Sequence, residues 1–223
     1  MNEKTKKSLF TTCALAVSAL IYTVMIKLVD VQPIGPEGSS VGFAALNGFF
    51  FNLIGTHKFF YYLTEFFGII AILIALLFAA VGAYQLYTRK NLLKVDKNVL
   101  AMGGIYILVI VLYVLFDKIP VNYRPVILDE GLESSYPSTH TMLSMCIIGC
   151  ALIEFRQVLK KSVLKIAEPV CIALIACTVI GRLLSGVHWF TDIMGGALIS
   201  AAIISLYYTV VLYFKQKKQR RKV

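Results

Sequence analysis

Six stretches of this sequence, 9–26, 60–87, 99–116, 138–155, 167–184 and 193–214, are apolar over roughly the ~20 residues a helix needs to cross a bilayer. Charge inside them is confined to Glu65, Glu154, Glu168 and Arg182, all towards run ends. Hydrocarbon offers no hydrogen bonds to a backbone, so only helices and closed barrels can span it. The runs lack the period-2 alternation of barrel strands. The expected fold is therefore all-α, an integral membrane bundle of six transmembrane helices, with nothing marking a second domain between residues 1 and 223. Composition agrees: 58% of side chains are hydrophobic and 15% charged, against about 25% charged in soluble domains. That excludes a disordered chain. Five cysteines, an odd number in apolar surroundings, exclude a disulfide scaffold and read as packing residues.

The net charge of +10 is unevenly distributed. Seventeen of the 22 basic residues fall on one side of a six-span bundle. They are Lys4, Lys6 and Lys7; Arg89, Lys90, Lys94 and Lys97; Arg156, Lys160, Lys161 and Lys165; and Lys215, Lys217, Lys218, Arg220, Arg221 and Lys222. The positive-inside rule makes that side, and both termini, cytoplasmic. The basic tail is a topology anchor beside anionic head groups, and no nucleic-acid partner is expected. The first run is too long for a signal-peptide core and lacks a cleavage pattern, so it reads as a retained helix. A shorter apolar stretch, 41–54, suits an interfacial helix or a cap on the bundle.

Five basic residues remain outside: Lys27, Lys58, Lys118, Arg124 and Arg182. Lys27 and Lys58 flank helix ends and read as snorkelling side chains. The other three lie among unusual neighbours. After the third run comes Asp117-Lys118, then Arg124-Pro125; Pro137-Ser138-Thr139-His140 opens the fourth; Arg182 ends the fifth, followed by His188 and Asp192 before the sixth. Polar groups gathered near membrane depth mark function. Within a helix, His188 and Asp192 at i, i+4 share a face. An aspartate on one imidazole nitrogen fixes the tautomer and leaves the other as a nucleophile. A helix start at Ser138 or Thr139 points backbone N–H groups at an anion. Arg124 and Arg182 offer planar forks for phosphate oxygens and Lys118 a point charge. His140 is placed to protonate a leaving oxygen. Together these residues describe phosphoryl transfer through a phosphohistidine.

Three blocks, Lys118…Arg124-Pro125, Pro137-Ser138-Thr139-His140 and Arg182…His188…Asp192, resemble the signature of the type 2 phosphatidic acid phosphatase family, membrane-embedded and of bacterial type. Their order matches, and each falls at an outer helix end. Thr139 stands where the family more often has glycine, and Lys118 lies one residue nearer its arginine than the family's pattern places it. The resemblance implies a lipid phosphate phosphatase that needs no metal or other cofactor. His188 would attack phosphorus with help from Asp192, and His140 would protonate the leaving group. Lys118, Arg124, Ser138, Thr139 and Arg182 would hold the phosphate. The implied partners are membrane lipids and a lipid phosphate substrate: undecaprenyl diphosphate or phosphatidylglycerol phosphate first, then phosphatidic acid. The site would face outward from the plasma membrane.

Other residues have plainer readings. Asp129, Glu130 and Glu133 form a solvated acidic loop. His57 is interfacial. Glu65 either pairs with an outer-face arginine or faces the head groups as a helix-end carboxylate. Zinc on His140 and His188 is disfavoured by the cations around them. Two alternatives share the same residues: a phosphotransferase moving the phosphoryl group between lipids, and a transporter or channel in which the outer charges only bind or gate.

Overall fold

Each apolar run forms one helix, and each helix outlasts its run. In the computed structural model, which describes residues 1–128 and 131–220, the spans are α1 (Glu3–Leu28), α3 (Lys58–Arg89), α4 (Lys97–Lys118), α5 (Thr139–Val158), α6 (Lys161–Ser185) and α7 (Phe190–Arg220). All six are long and apolar enough to cross a membrane. The extra turns are mostly polar, and a polar turn can extend a helix beyond its apolar run because its side chains reach water while the backbone stays helical. A seventh helix, α2 (Ala44–Ile54), occupies the stretch expected to cap the bundle.

The helices pack around α5, the most buried span, which contacts α3, α4, α6 and α7. The most extensive pairing is α1 with α7. It carries a ladder of hydroxyls: Ser8 with Thr209 at 2.6 Å, Thr12 with Ser205 at 2.8 Å and Thr12 with Thr209 at 3.1 Å. Apolar contact drives little association in lipid, so such bonds, about 0.6 kcal/mol each, help select partners. The backbone N–H of Asn2 donates to Gln216 at 3.1 Å, so both termini lie at one end of the bundle.

The opposite end holds the predicted outer blocks. There α2 lies over the start of α7. Phe50 stacks on Phe190 with ring centroids 4.2 Å apart, and buried Asn47 accepts from the Thr191 N–H and donates to the Thr191 hydroxyl. Gly42 turns the chain into this cap against α1; a Cβ there would lie 1.7 Å from the Ile26 carbonyl oxygen. Gly195 gives Tyr136 room to bury its ring against α7, with the phenol hydrogen-bonded to Thr23 of α1 at 2.7 Å. The segment before α5 is thereby fixed to α1 and α7.

Candidate active site

His188 lies in the turn between α6 and α7 and is only 3% exposed. Its Nδ1 sits 3.0 Å from the backbone carbonyl of Ser135. A carbonyl oxygen can only accept, so Nδ1 carries the proton and Nε2 presents a lone pair. Arg124 approaches that nitrogen with Nη1 at 3.3 Å. Burial, reinforced by the positive charges of Arg124 and Arg182, holds His188 well below the usual imidazole range. The ring is neutral at pH 7, as a nitrogen nucleophile requires.

Asp192 is not in direct hydrogen-bond contact with that ring. Its Oδ2 accepts from the Ser135 hydroxyl at 2.5 Å, and Ser135 Oγ lies 3.0 Å from His188 Nδ1. The i, i+4 expectation fails because α7 begins at Phe190, leaving His188 outside the helix where that geometry applies. The Asp192 carboxylate instead reaches back to its own helix start, accepting from the Trp189 N–H at 3.0 Å, and takes a further bond from Asn122 Nδ2 at 3.1 Å. Asn122 Oδ1 in turn accepts from the Gly42 N–H at 3.2 Å, which ties the carboxylate to the cap. Ser135 and Asn122 were not singled out from the sequence. Nothing in their spacing separates them from ordinary loop residues; the pairing of Tyr123 with Ser134, with the Ser135 N–H donating to the Asn122 carbonyl at 2.9 Å, sets their two segments side by side.

The two arginines are each held by a carboxylate. Arg124 Nε lies 2.8 Å from Glu133 Oε2. Glu133 is therefore an ion-pair partner and not a freely solvated acid, while Asp129 and Glu130 lie outside the described residues. Arg182, 1% exposed, does not snorkel. It turns inward, donating to the Thr64 hydroxyl and to Glu65 Oε1, each at 3.0 Å, with Tyr61 under its guanidinium. Glu65 Oε2 lies 3.1 Å from His140 Nε2, so one carboxylate of α3 joins Arg182 to His140. Of the two readings of Glu65, pairing with an arginine is the one observed, and the histidine contact is additional. Gly68, one turn further along α3, accommodates the ring: a Cβ there would be 3.0 Å from His140 Cδ2.

Ser138 is the residue preceding α5; it is buried, and its N–H donates to the Asp192 carbonyl at 3.0 Å. Among the described residues its hydroxyl has no partner. Thr139 and His140 form the first turn of α5. Lys118 stands apart. It closes α4 with its side chain 78% exposed, 3.4 Å from Asp117. Arg124, Ser138, Thr139, His140, Arg182, His188 and Asp192 are thus gathered at one end of the bundle, with Lys118 on its rim. Lys27, read as snorkelling, donates to the Pro120 carbonyl at 2.9 Å and fastens the Arg124 loop to α1.

A family model described as the PAP2 superfamily matches residues 99–216, which contain all three blocks. The chain belongs to that superfamily. No curated protein matches it. Among solved structures it is similar to the crystal structure of the first transmembrane PAP2-type phosphatidylglycerolphosphate phosphatase from Bacillus subtilis. The identity is 17% and the TM-score 0.65, over 93% of this chain and 97% of that one, a likeness of fold. As a PAP2 phosphatase the chain is a phosphoric ester hydrolase, and its six apolar spans make it a multi-pass membrane protein.

Proposed function

We propose that the chain, acting as one transmembrane unit, hydrolyses a terminal phosphate or diphosphate from a lipid through a phosphohistidine on His188, at the membrane face opposite its termini. The observation that carries this is the locked tautomer of His188: Nδ1–H is committed to Ser135, and Nε2 faces Arg124. Nε2 attacks phosphorus as the bond to the lipid oxygen breaks, and His140 supplies that oxygen's proton. Water then attacks phosphorus, the P–N bond breaks, and a water proton returns to His140. Arg124, Arg182 and the backbone N–H groups at the start of α5 stabilise the charge spread over the equatorial oxygens. Ser138 contributes its hydroxyl and Thr139 its N–H. Asp192, through Ser135, supports the positive charge that His188 gains.

The lipid tail has a surface to lie on. Phe59, Tyr62 and Phe66 of α3 are exposed beside Glu65, at the edge of the phosphate-binding groups. The leading substrates remain undecaprenyl diphosphate and phosphatidylglycerol phosphate, followed by phosphatidic acid. The basic residues at the termini's end of the bundle support a reading with both termini cytoplasmic and the site facing outward from a plasma membrane.

The test is brief incubation of detergent-purified protein with a lipid phosphate radiolabelled at its terminal phosphorus, followed by alkaline quench. An acid-labile, alkali-stable label on the wild-type chain and none on His188→Ala is the expected result. Steady phosphate release by His188→Ala would overturn the assignment. Full activity in EDTA is expected, since the cations around the two imidazoles oppose a divalent ion.

A further inference from the structure

Glu65 belongs to α3, outside residues 99–216 that carry the family's blocks, yet it touches two of the residues those blocks contribute. It lies seven residues into α3, about 10 Å below the helix start at 1.5 Å per residue. A carboxylate at that depth is costly and calls for a partner or a role. We propose that Glu65 and His140 form the proton-transfer pair of the phosphatase, Glu65 acting as a positioning residue that presents His140 to the leaving oxygen.

The geometry supports the pairing. The Cδ2–Nε2 edge of His140 faces α3, at Gly68 and Glu65, so the Nδ1 edge faces away from α3. Nδ1 is buried and has no partner among the described residues. His140 is also close enough to His188 to disfavour a charge there. With Nε2–H held by Glu65, Nδ1–H goes to the departing lipid oxygen as the P–O bond breaks and His188 Nε2 bonds to phosphorus. In the second half, Nδ1 takes a proton from water as water displaces Nε2. Glu65 keeps its carboxylate throughout and neither gains nor loses a proton. Its other oxygen holds Arg182 in the same frame, so the proton donor and one phosphate fork are placed together.

This inference rests on the phosphatase reading and is tested by leaving-group dependence. Proton donation matters greatly for an alkyl oxygen and little for nitrophenolate. Glu65→Gln is therefore expected to lower kcat about 100-fold on dioctanoyl phosphatidic acid but less than about 5-fold on p-nitrophenyl phosphate, with little change in KM. Both rates come from one preparation, so their ratio does not depend on the folded fraction. In a His140→Ala background Glu65→Gln is expected to add no more than the loss of less than about 5-fold that it causes on the nitrophenyl ester, the part that belongs to Arg182. Equal losses on both esters, or additive losses in the double variant, would overturn the pair while leaving the phosphatase reading intact. No phosphate release by the wild type would overturn both.

A separate observation lies at the other end of the bundle. Between α3, α4, α5 and α7, near the termini, is a cleft of about 880 Å³. Its walls are apolar, with Phe78 and Phe155 among them, and its rim carries Lys97, Lys215, Lys217 and Lys218. The two carboxylates that line it are engaged: Asp96 with Arg89 at 2.7 Å and Gln85 at 2.9 Å, Glu154 with Tyr207 at 2.6 Å and Gln157 at 3.0 Å. That leaves a concentration of positive charge above a greasy slot. The structure assigns this cleft to an anionic phospholipid of the leaflet on the termini side, its phosphate among the lysines and its chains along Phe78 and Phe155. On α5 the cleft begins at Glu154, about 20 Å along the helix from His140, so this lipid is not the substrate.

Native mass spectrometry of the purified chain with added phosphatidylglycerol or phosphatidylcholine tests it. One phosphatidylglycerol per chain is expected, retained at least 10-fold better than phosphatidylcholine, with that preference lost in the Lys97→Gln, Lys215→Gln, Lys217→Gln, Lys218→Gln variant. Equal retention of both lipids, retention of the preference by the variant, or a lysine-dependent dimer in place of the lipid complex would overturn it.

Discussion

The two histidines of the site are built on opposite plans. His188 is nearly sealed, sits in a turn, and gives its Nδ1–H to a backbone carbonyl, with its carboxylate one hydroxyl away. His140 is in the first turn of a helix, has a side chain 23% exposed, and meets its carboxylate directly at 3.1 Å. The partners of His188 all come from residues 122–192; the partner of His140 comes from α3. The difference follows from what each ring is asked to do in the proposed reaction. A nucleophile must keep one tautomer and stay uncharged until it attacks, which burial and a carbonyl acceptor secure. A ring that gives a proton to a lipid oxygen and takes one from water must reach both, so it stands at the edge of the site.

The largest effect expected from that contrast is at the nucleophile. His188→Ala should lower phosphate release by at least about 10⁴-fold on every ester, because no other group replaces the P–N bond. Asp192→Asn should cost about 10² to 10³-fold, since it removes the charge that supports imidazolium. Ser135→Ala sharpens the comparison: it breaks the hydroxyl link but leaves the carbonyl that fixes the tautomer. Its expected loss in kcat is only about 10-fold. A Ser135→Ala loss as large as that of Asp192→Asn would mean that the carboxylate supports the ring only through the hydroxyl and not through its nearby charge. Stopped assays on one lipid phosphate with circular dichroism as a folding control give these values.

How much of this was legible in the sequence depends on the range of the interaction. The spans were readable because an uncharged run such as 193–214 has one stable conformation in lipid, and that depends on nothing distant. The blocks were readable because Arg182, His188 and Asp192 are close in the chain. Helix ends were displaced by a few residues, as at Glu3 and Arg220, because polar turns carry no apolar signal. The relay through Ser135 and the bond from Asn122 were not legible. They depend on two loop strands meeting α7 across more than 50 residues, from 135 to 188. Glu65 was half legible: a lone carboxylate in an apolar run invites a partner, but that Arg182 and His140 share it is a matter of how α3 packs on α5 and α6.

A smaller effect separates the centres by pH. In the unfolded chain His188 takes a proton below about pH 6.5; in the fold, burial and the two arginines prevent this until well lower. The unfolded state then binds more protons in that window, so stability falls as pH drops below about 6.5 and rises again on return to neutral. The thermal midpoint in detergent should fall by several degrees between pH 7.5 and 5.5 for the wild type and by less for His188→Gln. Identical shifts in the two proteins would mean that the ring accepts a proton in the fold.

The smallest expected effect is at Lys118, which stands outside the network that joins the arginines and histidines. Arg124, in the same block, is held by Glu133, Val187 and His188. Lys118 ends α4 in solvent beside Asp117, where a 3.4 Å pair is screened and worth little. The departure of its spacing from the family pattern therefore has a structural counterpart: the residue does not reach the groups proposed to bind phosphate. Lys118→Ala is expected to change kcat/KM by less than about 3-fold, against about 100-fold for Arg124→Ala, whose fork faces the nucleophile. Equal losses in the two variants would place Lys118 on the phosphate during turnover and require the loop at 119–123 to move inward when substrate binds.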